Sequence, residues 1–402
     1  MKYSAQEVMQ YVQEADVKFI RLAFCDVYGK QKNIAIMPGE LERAFAYGVA
    51  IDASAIAGFG SQEHSDLYLH PDPATLTGLP WRPENGRVVR MLCDLTYPDG
   101  SAFPCDTRAL LKQTVQLAKA RGYTFDIGTR MEFYLFKTDE NGEATREPYD
   151  QAGYMDIAPE DKGENVRREI CLNLEKMGIQ PESSHHEEGP GQNEISFRYS
   201  DPVTAADNAV SFAAVVKTIA ARNGLYADFS PKPLADQPGN GMHINVSVDA
   251  AEGEDELEPM TAGLLAKCRE MTLFLNPSPD SYRRLGGYKA PGYVTWSTEN
   301  RSQLIRMPAA VGRNRRLELR SADSTANPYI AFTLLIRAGL LGIQTGLELP
   351  PATDRELSAM APEDLAGYDS LPRDLAQATS LAAASGFVAQ VLPPEIIRAY
   401  CG

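Results

Sequence analysis

The chain has few cysteines and a shortage of basic residues, and each shortage excludes a class of protein. Its 402 residues include six cysteines, scattered and without a CxxC pair or a Cys/His ligand spacing, which argues against a disulfide framework or a zinc site. It has 39 basic and 54 acidic residues, a formal net charge of -15 at pH 7. Such a chain has no general attraction to phosphodiester backbones, so nucleic acid is not an expected partner.

The sequence also has no long run of apolar residues. It begins MKYSAQEVMQYVQEA, which is polar where a signal peptide needs an apolar stretch. No uninterrupted segment approaches the roughly 20 apolar residues of a membrane span. We therefore expect a cytoplasmic protein that is neither exported nor embedded in a membrane.

A change of pattern near residue 103 predicts a domain boundary. Before it, helix, strand and turn signals alternate over short distances, with a strand-like segment from Val17 to Phe24. After it, a helix starts near Thr107, and long helical patterns cover about residues 202–223 and 327–346 with strand-like segments between them. The pattern predicts an α+β fold with a small domain over residues 1–103 and a larger one over 104–402.

Three glutamates are candidate ligands of a hard cation. Glu187 and Glu194 flank the Gly-Pro-Gly turn of ESSHHEEGPGQNEISFRY, and Glu132 lies on a separate predicted strand. Mg²⁺ and Mn²⁺ prefer oxygen ligands and keep waters that phosphate oxygens can replace, so three carboxylates suit a nucleotide enzyme. Any one of these glutamates alone would more simply be an exposed side chain.

Arginines recur in the second half of the chain. Arg316, Glu318 and Arg320 share one face of the strand-like RRLELRS, a pattern that also fits a surface salt-bridge ladder. Three more arginines precede this strand: Arg284, Arg301 and Arg306. Forked guanidinium donors suit carboxylate and phosphate groups. His243 follows a Pro-Gly-Asn-Gly turn that allows close approach of backbone to a ligand, although a lone histidine is more often structural.

Six motifs, in this order, resemble those of the short bacterial type of glutamine synthetase. They are IDASAIAGF, MEFYLF, SSHHEEGPGQNE, NGMHINVS, NRSQLIRMP and RLELRSADSTANPY. The resemblance implies a small N-terminal β-grasp domain and a catalytic domain whose curved antiparallel sheet, flanked by helices, holds ATP. It also implies a homo-oligomeric ring in which the Asp52 loop of one subunit completes a neighbour's active site. The implied activity is that of an ATP-dependent ligase, which forms a γ-glutamyl amide through γ-glutamyl phosphate.

The resemblance also implies a role for individual residues. The ligands of a first Mg²⁺ or Mn²⁺ would be Glu132, Glu187 and Glu194, and those of a second would include His243 and Glu318. The phosphate-binding residues would be Arg301, Arg306 and Arg316. The α-carboxylate and amino group of glutamate would contact Arg284, Arg320 and the backbone near Gly239. The residues that act on or surround the amine would be Asp52, as proton acceptor, together with Tyr154 and Lys289, and Arg301 would also take part in catalysis.

Three positions depart from the family pattern. Arg130 replaces a metal-binding glutamate of the family's ExEF motif. Either the second metal is absent and the guanidinium supplies part of its charge, or Arg130 pairs with a carboxylate such as Glu132 or Glu318. Lys289, in GYKAP, replaces the glutamate that closes over the ammonium site, and Pro238 replaces an asparagine before the glycine turn, which leaves the contact to glutamate's amino group open.

The charge of Lys289 decides between several interpretations. A protonated lysine about 4 Å from ammonium would repel it by about 4 kcal/mol at an effective dielectric near 20. Three interpretations remain: the protein is inactive or regulatory, the lysine is deprotonated and acts as a base, or the amine carries its own carboxylate. The last is favoured because Lys289 could pair with that carboxylate. Three functions follow: a ligase for an amine other than ammonia, an authentic glutamine synthetase, and a catalytically silent protein that binds nucleotide and glutamate.

Overall fold

The computed structural model describes residues 3–60, 63, 65–82, 85–251, 253, 255–287, 289–310, 315–357 and 360–402. The N-terminal part folds around one mixed sheet. Its elements are α1 (Ala5–Glu14), β1 (Val17–Cys25), β2 (Gln31–Ile36), α2 (Leu41–Tyr47), β3 (Val49–Asp52), β4 (Asp66–Pro71), β5 (Thr77–Gly78) and β6 (Arg87–Thr96). The strand order is β2-β1-β6-β4-β3, with β5 also paired to β6.

The parallel pairing of β1 with β6 organises this small domain. β2, β4 and β5 add to that pair in antiparallel fashion, which matches the β-grasp domain that the resemblance implies. On β6, Val89, Met91 and Leu95 are buried on one face, as the two-residue period of a strand predicts. Arg90 and Leu92 are buried on the other face, which borders the larger domain.

The larger domain is built on an antiparallel sheet. Its strands are β7 (Tyr123–Thr138), β8 (Ala144–Pro148), β9 (Pro181–His186), β10 (Gln192–Phe197), β11 (Leu225–Asp228), β12 (Met242–Ala250), β13 (Trp296–Ser297), β14 (Ile305–Arg306) and β15 (Leu317–Leu319). Their order is β13-β14-β15-β12-β7-β10-β9, with β8 and β11 also paired to β7. Only the short β13 and β14 run parallel in the described part of this sheet.

Helices cover the larger sheet. They are α3 (Thr107–Ala120), α4 (Glu164–Lys176), α5 (Pro202–Arg222), α6 (Leu257–Leu275), α7 (Ser281–Arg284), α8 (Pro328–Thr345), α9 (Pro362–Leu365), α10 (Leu375–Ala383), α11 (Gly386–Val391) and α12 (Pro394–Cys401). The two long predicted helices are α5 and α8. Side chains of Asp201 and Asn327 cap their N-termini, and Gly346 ends α8 in the left-handed conformation. The α+β architecture agrees with the predicted fold class.

Helices α5 and α8 are long and apolar enough to cross a membrane, although neither is an uninterrupted run of apolar residues. In their most apolar windows, 61% and 72% of the residues are buried inside the fold. Such burial is typical of the core helices of a globular domain. The helices therefore pack into the core of the larger domain.

A buried arginine joins the two domains. Arg108 on α3 donates to Asp72 Oδ2 and Asp94 Oδ1 of the small domain, each at 3.0 Å. It also forms two bonds of 3.0 Å to Asp207 on α5. Lys112 adds contacts of 3.2 Å to Asp72 and 2.7 Å to Asp94. Because one cation serves three carboxylates, this cluster fixes the small domain against α3 and α5. The boundary at residue 103 remains a prediction.

Candidate active site

Two adjacent cavities on the larger sheet contain most of the predicted site residues. A cavity of about 570 Å³ is lined by Glu132, Tyr154, Glu187, Glu194, Gly239, His243, Arg284, Lys289, Arg301 and Arg320. A second cavity of about 400 Å³ is lined by Arg306, Arg316 and Glu318, together with Arg315 and Tyr199. Arg130 lines both cavities. The structure therefore separates two of the predicted phosphate arginines from the predicted glutamate and amine residues, with Arg130 between the two groups.

Strand register brings the charged residues of the site together. Glu132 on β7 pairs directly with Glu194 on β10, and Arg130 on β7 pairs with His243 on β12. Directly paired residues point to the same face of a sheet and lie close to one another. The opposite face carries Met131 and other apolar side chains, which are buried in the core. Alternation along three neighbouring strands thus forms a charged floor over an apolar core.

Glu132, Glu194 and His243 form a cluster that can hold a cation. Their ligand atoms lie within 4.8 Å of one another, and the same is true of His185, Glu187 and Glu194. Burial, together with the neighbouring Glu187 and Glu194 carboxylates, raises the pKa of Glu132 to about 8. Burial likewise raises the pKa of Glu194. A divalent cation would relieve the repulsion among these carboxylates.

His243 supplies an independent indication of a metal ligand. Its Nδ1 atom is buried and has no hydrogen-bond partner within the part of the chain that the structure describes. Burial, together with nearby arginines such as Arg320, holds the imidazole pKa well below its usual range, so the ring is neutral and keeps a lone pair for a metal. Nδ1 lies 3.6 Å from Glu318 Oε1. His243 thus lies between the glutamates of the first predicted metal and the glutamate of the second.

Arg130 turns toward neighbouring carboxylates. Its Nη2 and Nε atoms donate to Glu194 Oε1 at 2.5 and 3.1 Å, and Nη1 lies 3.7 Å from Glu318 Oε1. Burial disfavours the guanidinium cation, but Glu194 and Glu318 outweigh that effect and raise its pKa. The predicted pairing of Arg130 with a carboxylate is present, with Glu318 as an expected partner and Glu194 as an additional one. The absence of a second metal stays a prediction.

Glu318 lies among three guanidinium groups. Arg320 Nη1 is 2.8 Å from Oε1 and Arg306 Nη1 is 3.3 Å from Oε2, in addition to Arg130. Burial opposes ionisation, but the positive charges of Arg320, Arg130 and Arg306 outweigh it and hold the Glu318 pKa below its usual range. This carboxylate is therefore ionised and organises the arginines between the two cavities.

Backbone crowding explains the glycines beside the predicted glutamate site. A Cβ atom at Gly239 would lie 2.9 Å from Arg284 Cγ, and one at Gly241 would lie 2.6 Å from Arg284 Nη2. The Gly241 amide donates to Glu132 Oε2 at 2.6 Å. Arg284 itself is buried and donates to the carbonyl oxygens of Ser321 at 2.8 Å and Arg320 at 3.1 Å. Glycine at these positions lets the turn pack directly on the arginine and on Glu132.

At the amine end, Lys289 is paired with a residue that the sequence analysis did not select. Its Nζ atom forms an ion pair with Glu188 and lies 5.9 Å from the centroid of the Tyr154 ring. All three residues line the larger cavity. The only sequence signal for Glu188 was its position beside Glu187 in HHEEGPGQ. Three further residues of the site had no predicted role. His185 belongs to a candidate metal cluster, and the larger cavity is also lined by Gln192 and Lys232.

Asp52 lies apart from both cavities of its own chain. It ends β3, is exposed, and accepts hydrogen bonds from Ser54 N at 2.9 Å and Ser54 Oγ at 2.6 Å. These two bonds lower its pKa, so the carboxylate is ionised. The role of Asp52 at a neighbouring subunit's site stays a prediction.

Both parts of the chain match family models. Residues 16–98 match the model described as "Glutamine synthetase, beta-Grasp domain", and residues 104–402 match "Glutamine synthetase, catalytic domain". The chain belongs to the glutamine synthetase family. The family resemblance of the motifs is therefore confirmed, and so are the predicted fold class and the prediction of an ATP-dependent ligase. Glutamine synthetases generally use ATP and divalent metals.

Relatives match over nearly the whole chain. The glutamine synthetase of Clostridium saccharobutylicum is 44% identical over 394 residues, covering 94% of this chain and 89% of the relative. That of Methanosarcina mazei is 43% identical over 410 residues, covering 98% and 92%. A solved structure titled "GmaS/ADP complex-Conformation 1" superposes with a TM-score of 0.88 at 27% identity, covering 100% of this chain and 94% of that one. "Apo GmaS without ligand" gives 0.87 at 28% identity, with 98% and 93% covered.

Proposed function

We propose that this protein joins an amine that carries its own carboxylate to the γ-carboxylate of glutamate, with ATP as the energy source. The supporting observation is the ion pair between Lys289 and Glu188 at the cavity wall. Lys289 replaces a glutamate of the family pattern and holds a carboxylate in this structure. The Lys289 side chain is 45% exposed, so a substrate carboxylate can exchange with Glu188. The amine nitrogen would then lie deeper in the cavity.

The proposed reaction has two steps. An oxygen of the glutamate γ-carboxylate attacks the γ-phosphorus of ATP, the bond to the bridging oxygen breaks, and ADP leaves with γ-glutamyl phosphate formed. The amine nitrogen then attacks the acyl carbon, inorganic phosphate leaves, and a γ-glutamyl amide remains. The protonated amine first loses one proton, which frees its lone pair for attack, and Asp52 of a neighbouring subunit accepts this proton in the proposal. The second proton leaves the nitrogen as the amide forms and is taken up by the departing phosphate.

Arginines stabilise the charge that develops on the phosphoryl group. Arg306 and Arg316 line the smaller cavity, where we place the nucleotide phosphates, and Arg301 lines the larger one. Arg130 lies between the cavities, where a transferring phosphoryl group passes from ATP to glutamate. Preorganised positive groups of this kind lower the barrier because they need no reorganisation during the reaction.

The residues that would hold Mg²⁺ or Mn²⁺ are Glu132, Glu187, Glu194 and His243. Three carboxylates and a neutral imidazole suit these cations. The buried Nδ1 atom of His243, which lacks a hydrogen-bond partner among the described residues, supports this assignment. When bound, the cation neutralises phosphate oxygens and acts as a Lewis acid. Arg284, Arg320 and Gly239 are the proposed contacts of the glutamate α-carboxylate and amino group.

Ammonia is the second candidate nucleophile, and one observation favours it. The Glu188 carboxylate neutralises Lys289, which offsets the repulsion that a lone ammonium group would exert on NH₄⁺. In that case Glu188 replaces the carboxylate that the family pattern has at the lysine position. The protein would then be an authentic glutamine synthetase.

The test is phosphate release from Mg-ATP and glutamate with matched amines. β-Alanine and propylamine differ by a carboxylate in place of a methyl group, as do glycine and ethylamine, and ammonium completes the panel. The proposal predicts faster release with the carboxylate member of at least one pair than with its partner or ammonium. Release with ammonium alone would identify a glutamine synthetase. No release with any amine, while ATP still binds, would favour the catalytically silent interpretation.

We also infer a cytoplasmic homo-oligomeric ring with shared active sites. Support comes from Asp52, which is exposed and lines neither cavity of its own chain. Co-assembly of Asp52→Ala and Arg320→Ala subunits would restore partial activity. Some sites would then contain the unaltered Asp52 of one subunit and the unaltered Arg320 of its neighbour. Failure of mixed assemblies to regain activity would contradict shared sites.

A further inference from the structure

A cavity between the two domains lies outside the active site. It has a volume of about 510 Å³. The small domain contributes residues of α1, β5 and β6, and the larger domain contributes the end of α4 and the first half of α5. None of the residues assigned above to ATP, glutamate, amine or metal lines it. We call it the interdomain cavity.

Arg90 is the residue that makes this cavity unusual. It lies on β6, lines the cavity and is 8% exposed. Its Nε atom is buried without a hydrogen-bond partner, and none of the hydrogen bonds recorded among the described residues involves its guanidinium. Buried charges in proteins are normally paired and hydrogen-bonded because desolvation is costly. Arg90 is therefore a buried cation whose donors are available to a ligand.

The Asp207 carboxylate does not satisfy Arg90. Asp207 attracts it electrostatically, but both Asp207 oxygens accept hydrogen bonds from Arg108 at 3.0 Å. Asp207 Oδ1 also accepts a hydrogen bond of 2.7 Å from the Tyr329 hydroxyl group. The attraction from Asp207 is thus shared with Arg108, and the Arg90 guanidinium keeps its own donors.

We propose that the interdomain cavity binds a small organic carboxylate through Arg90. A guanidinium presents two parallel donors that match a planar carboxylate. The other walls include apolar groups, such as Leu92 and Ile179, and hydroxyl groups, such as those of Thr204 and Ser211, which suit an organic body rather than a bare inorganic ion. This proposal does not depend on which amine the active site uses.

A ligand in this cavity contacts both domains. Its carboxylate is held by Arg90 of the small domain, while its body lies against α4 and α5 of the larger one. Ligand binding therefore stabilises the native arrangement of the two domains, which gives a thermal readout in addition to direct calorimetry.

The test is binding of three chemically distinct carboxylates to the full-length protein. Butyrate is a monocarboxylate, succinate a dicarboxylate and norvaline an amino acid, and inorganic phosphate serves as the inorganic comparison. We expect saturable calorimetric binding and a concentration-dependent rise in Tm with at least one of the three. Phosphate binding as strong as that of every carboxylate would overturn the assignment to an organic ligand, and so would the absence of saturable binding by all three.

Three variants locate the site. Arg90→Gln removes the forked cation, and we expect binding to weaken by about 10-fold or more. Arg87→Gln changes an exposed arginine on the same strand and leaves binding unchanged. Gly78→Leu fills the cavity without altering Arg90, since Gly78 lines it and a Cβ there meets no atom within 4 Å. If Arg90→Gln does not fold, Gly78→Leu decides. Full binding by a folded Arg90→Gln or Gly78→Leu protein would refute the proposal.

Discussion

The guanidinium of Arg130 and the carboxylate of Glu194 form an ion pair across β7 and β10, with Nη2 2.5 Å from Oε1. Glu194 is also a member of two clusters of carboxylates and histidine that could hold a cation, one with Glu132 and His243 and one with His185 and Glu187. Arg130 and a metal ion therefore compete for the same carboxylate.

Replacing Arg130 with glutamate should increase metal binding. Arg130→Glu removes the ion pairs that Arg130 makes with Glu194 and Glu318, although Glu318 keeps those with Arg306 and Arg320. The change also adds a carboxylate to the floor of the site, which favours a hard divalent cation. We expect calorimetry to show that Mn²⁺ affinity rises by about 10-fold or more, because changes at groups that contact metal ligands alter metal affinity by that order.

Arg198→Glu, which changes an exposed arginine beyond β10, is the matched control for charge alone. An equal gain of affinity in the control would show that net charge, and not the ion pair with Glu194, limits metal binding.

His243→Ala should weaken metal binding while the fold is kept. The imidazole Nδ1 makes no hydrogen bond with the described residues, so its removal costs the apoprotein little polar contact. If His243 is a ligand, Mn²⁺ affinity falls by about 10-fold or more, since metal affinity follows ligand number and chemistry. Unchanged affinity in a folded His243→Ala protein would remove this residue from the ligand set.

Glu188→Gln separates the two candidate nucleophiles. The change removes the Glu188 carboxylate that pairs with Lys289 at the cavity wall, so the lysine charge acts more strongly on the amine site. Ammonium-dependent phosphate release should fall because like charges repel. The KM for β-alanine should fall, provided that its carboxylate takes the place of Glu188.

Glu143→Gln, at an exposed position of the β7–β8 turn, controls for loss of one negative charge. Equal effects of Glu188→Gln on ammonium and β-alanine would argue that Lys289 does not contact the amine.

Arg108 is predicted to be the main polar contact between the domains. Arg108→Met leaves Asp72, Asp94 and Asp207 close together without their shared cation. Breaking a buried ion pair by removing one partner costs about 3 to 5 kcal/mol, so we expect a large fall in Tm. Arg121→Met, at an exposed arginine that ends α3, should leave Tm nearly unchanged. A small effect of Arg108→Met would mean that apolar contacts dominate the interface.

The motifs predicted the cavity better than they predicted its ion pairs. Residues as far apart as Glu132 and Arg320 line one cavity, as the motif resemblance implied. The pairing of Arg130 with Glu194 depends on strand register, because β7 and β10 run antiparallel with Glu132 opposite Glu194. Register between distant strands is a property of the folded sheet. Local spacing along one strand could not supply it.

Pairs that join distant segments were the hardest to predict. Glu188 and Lys289 are 101 residues apart, and the glutamate had no signal beyond its neighbour in the motif. Arg108 and Asp72 are likewise an ion pair between the two domains. Asp52 differs again, since its predicted role requires a second subunit. Composition and periodicity act over a few residues, whereas these relationships arise from tertiary and quaternary packing.

The charge at position 289 selects the amine in the proposed reaction, and a comparison of Lys289→Glu with the unaltered protein tests this selection. Phosphate release from Mg-ATP and glutamate is followed with ammonium, β-alanine and propylamine at equal concentrations. The account predicts that Lys289→Glu raises release with ammonium, lowers release with β-alanine, and changes their ratio by about 10-fold or more, because the local charge is reversed. An unchanged ratio in an active Lys289→Glu enzyme would contradict it.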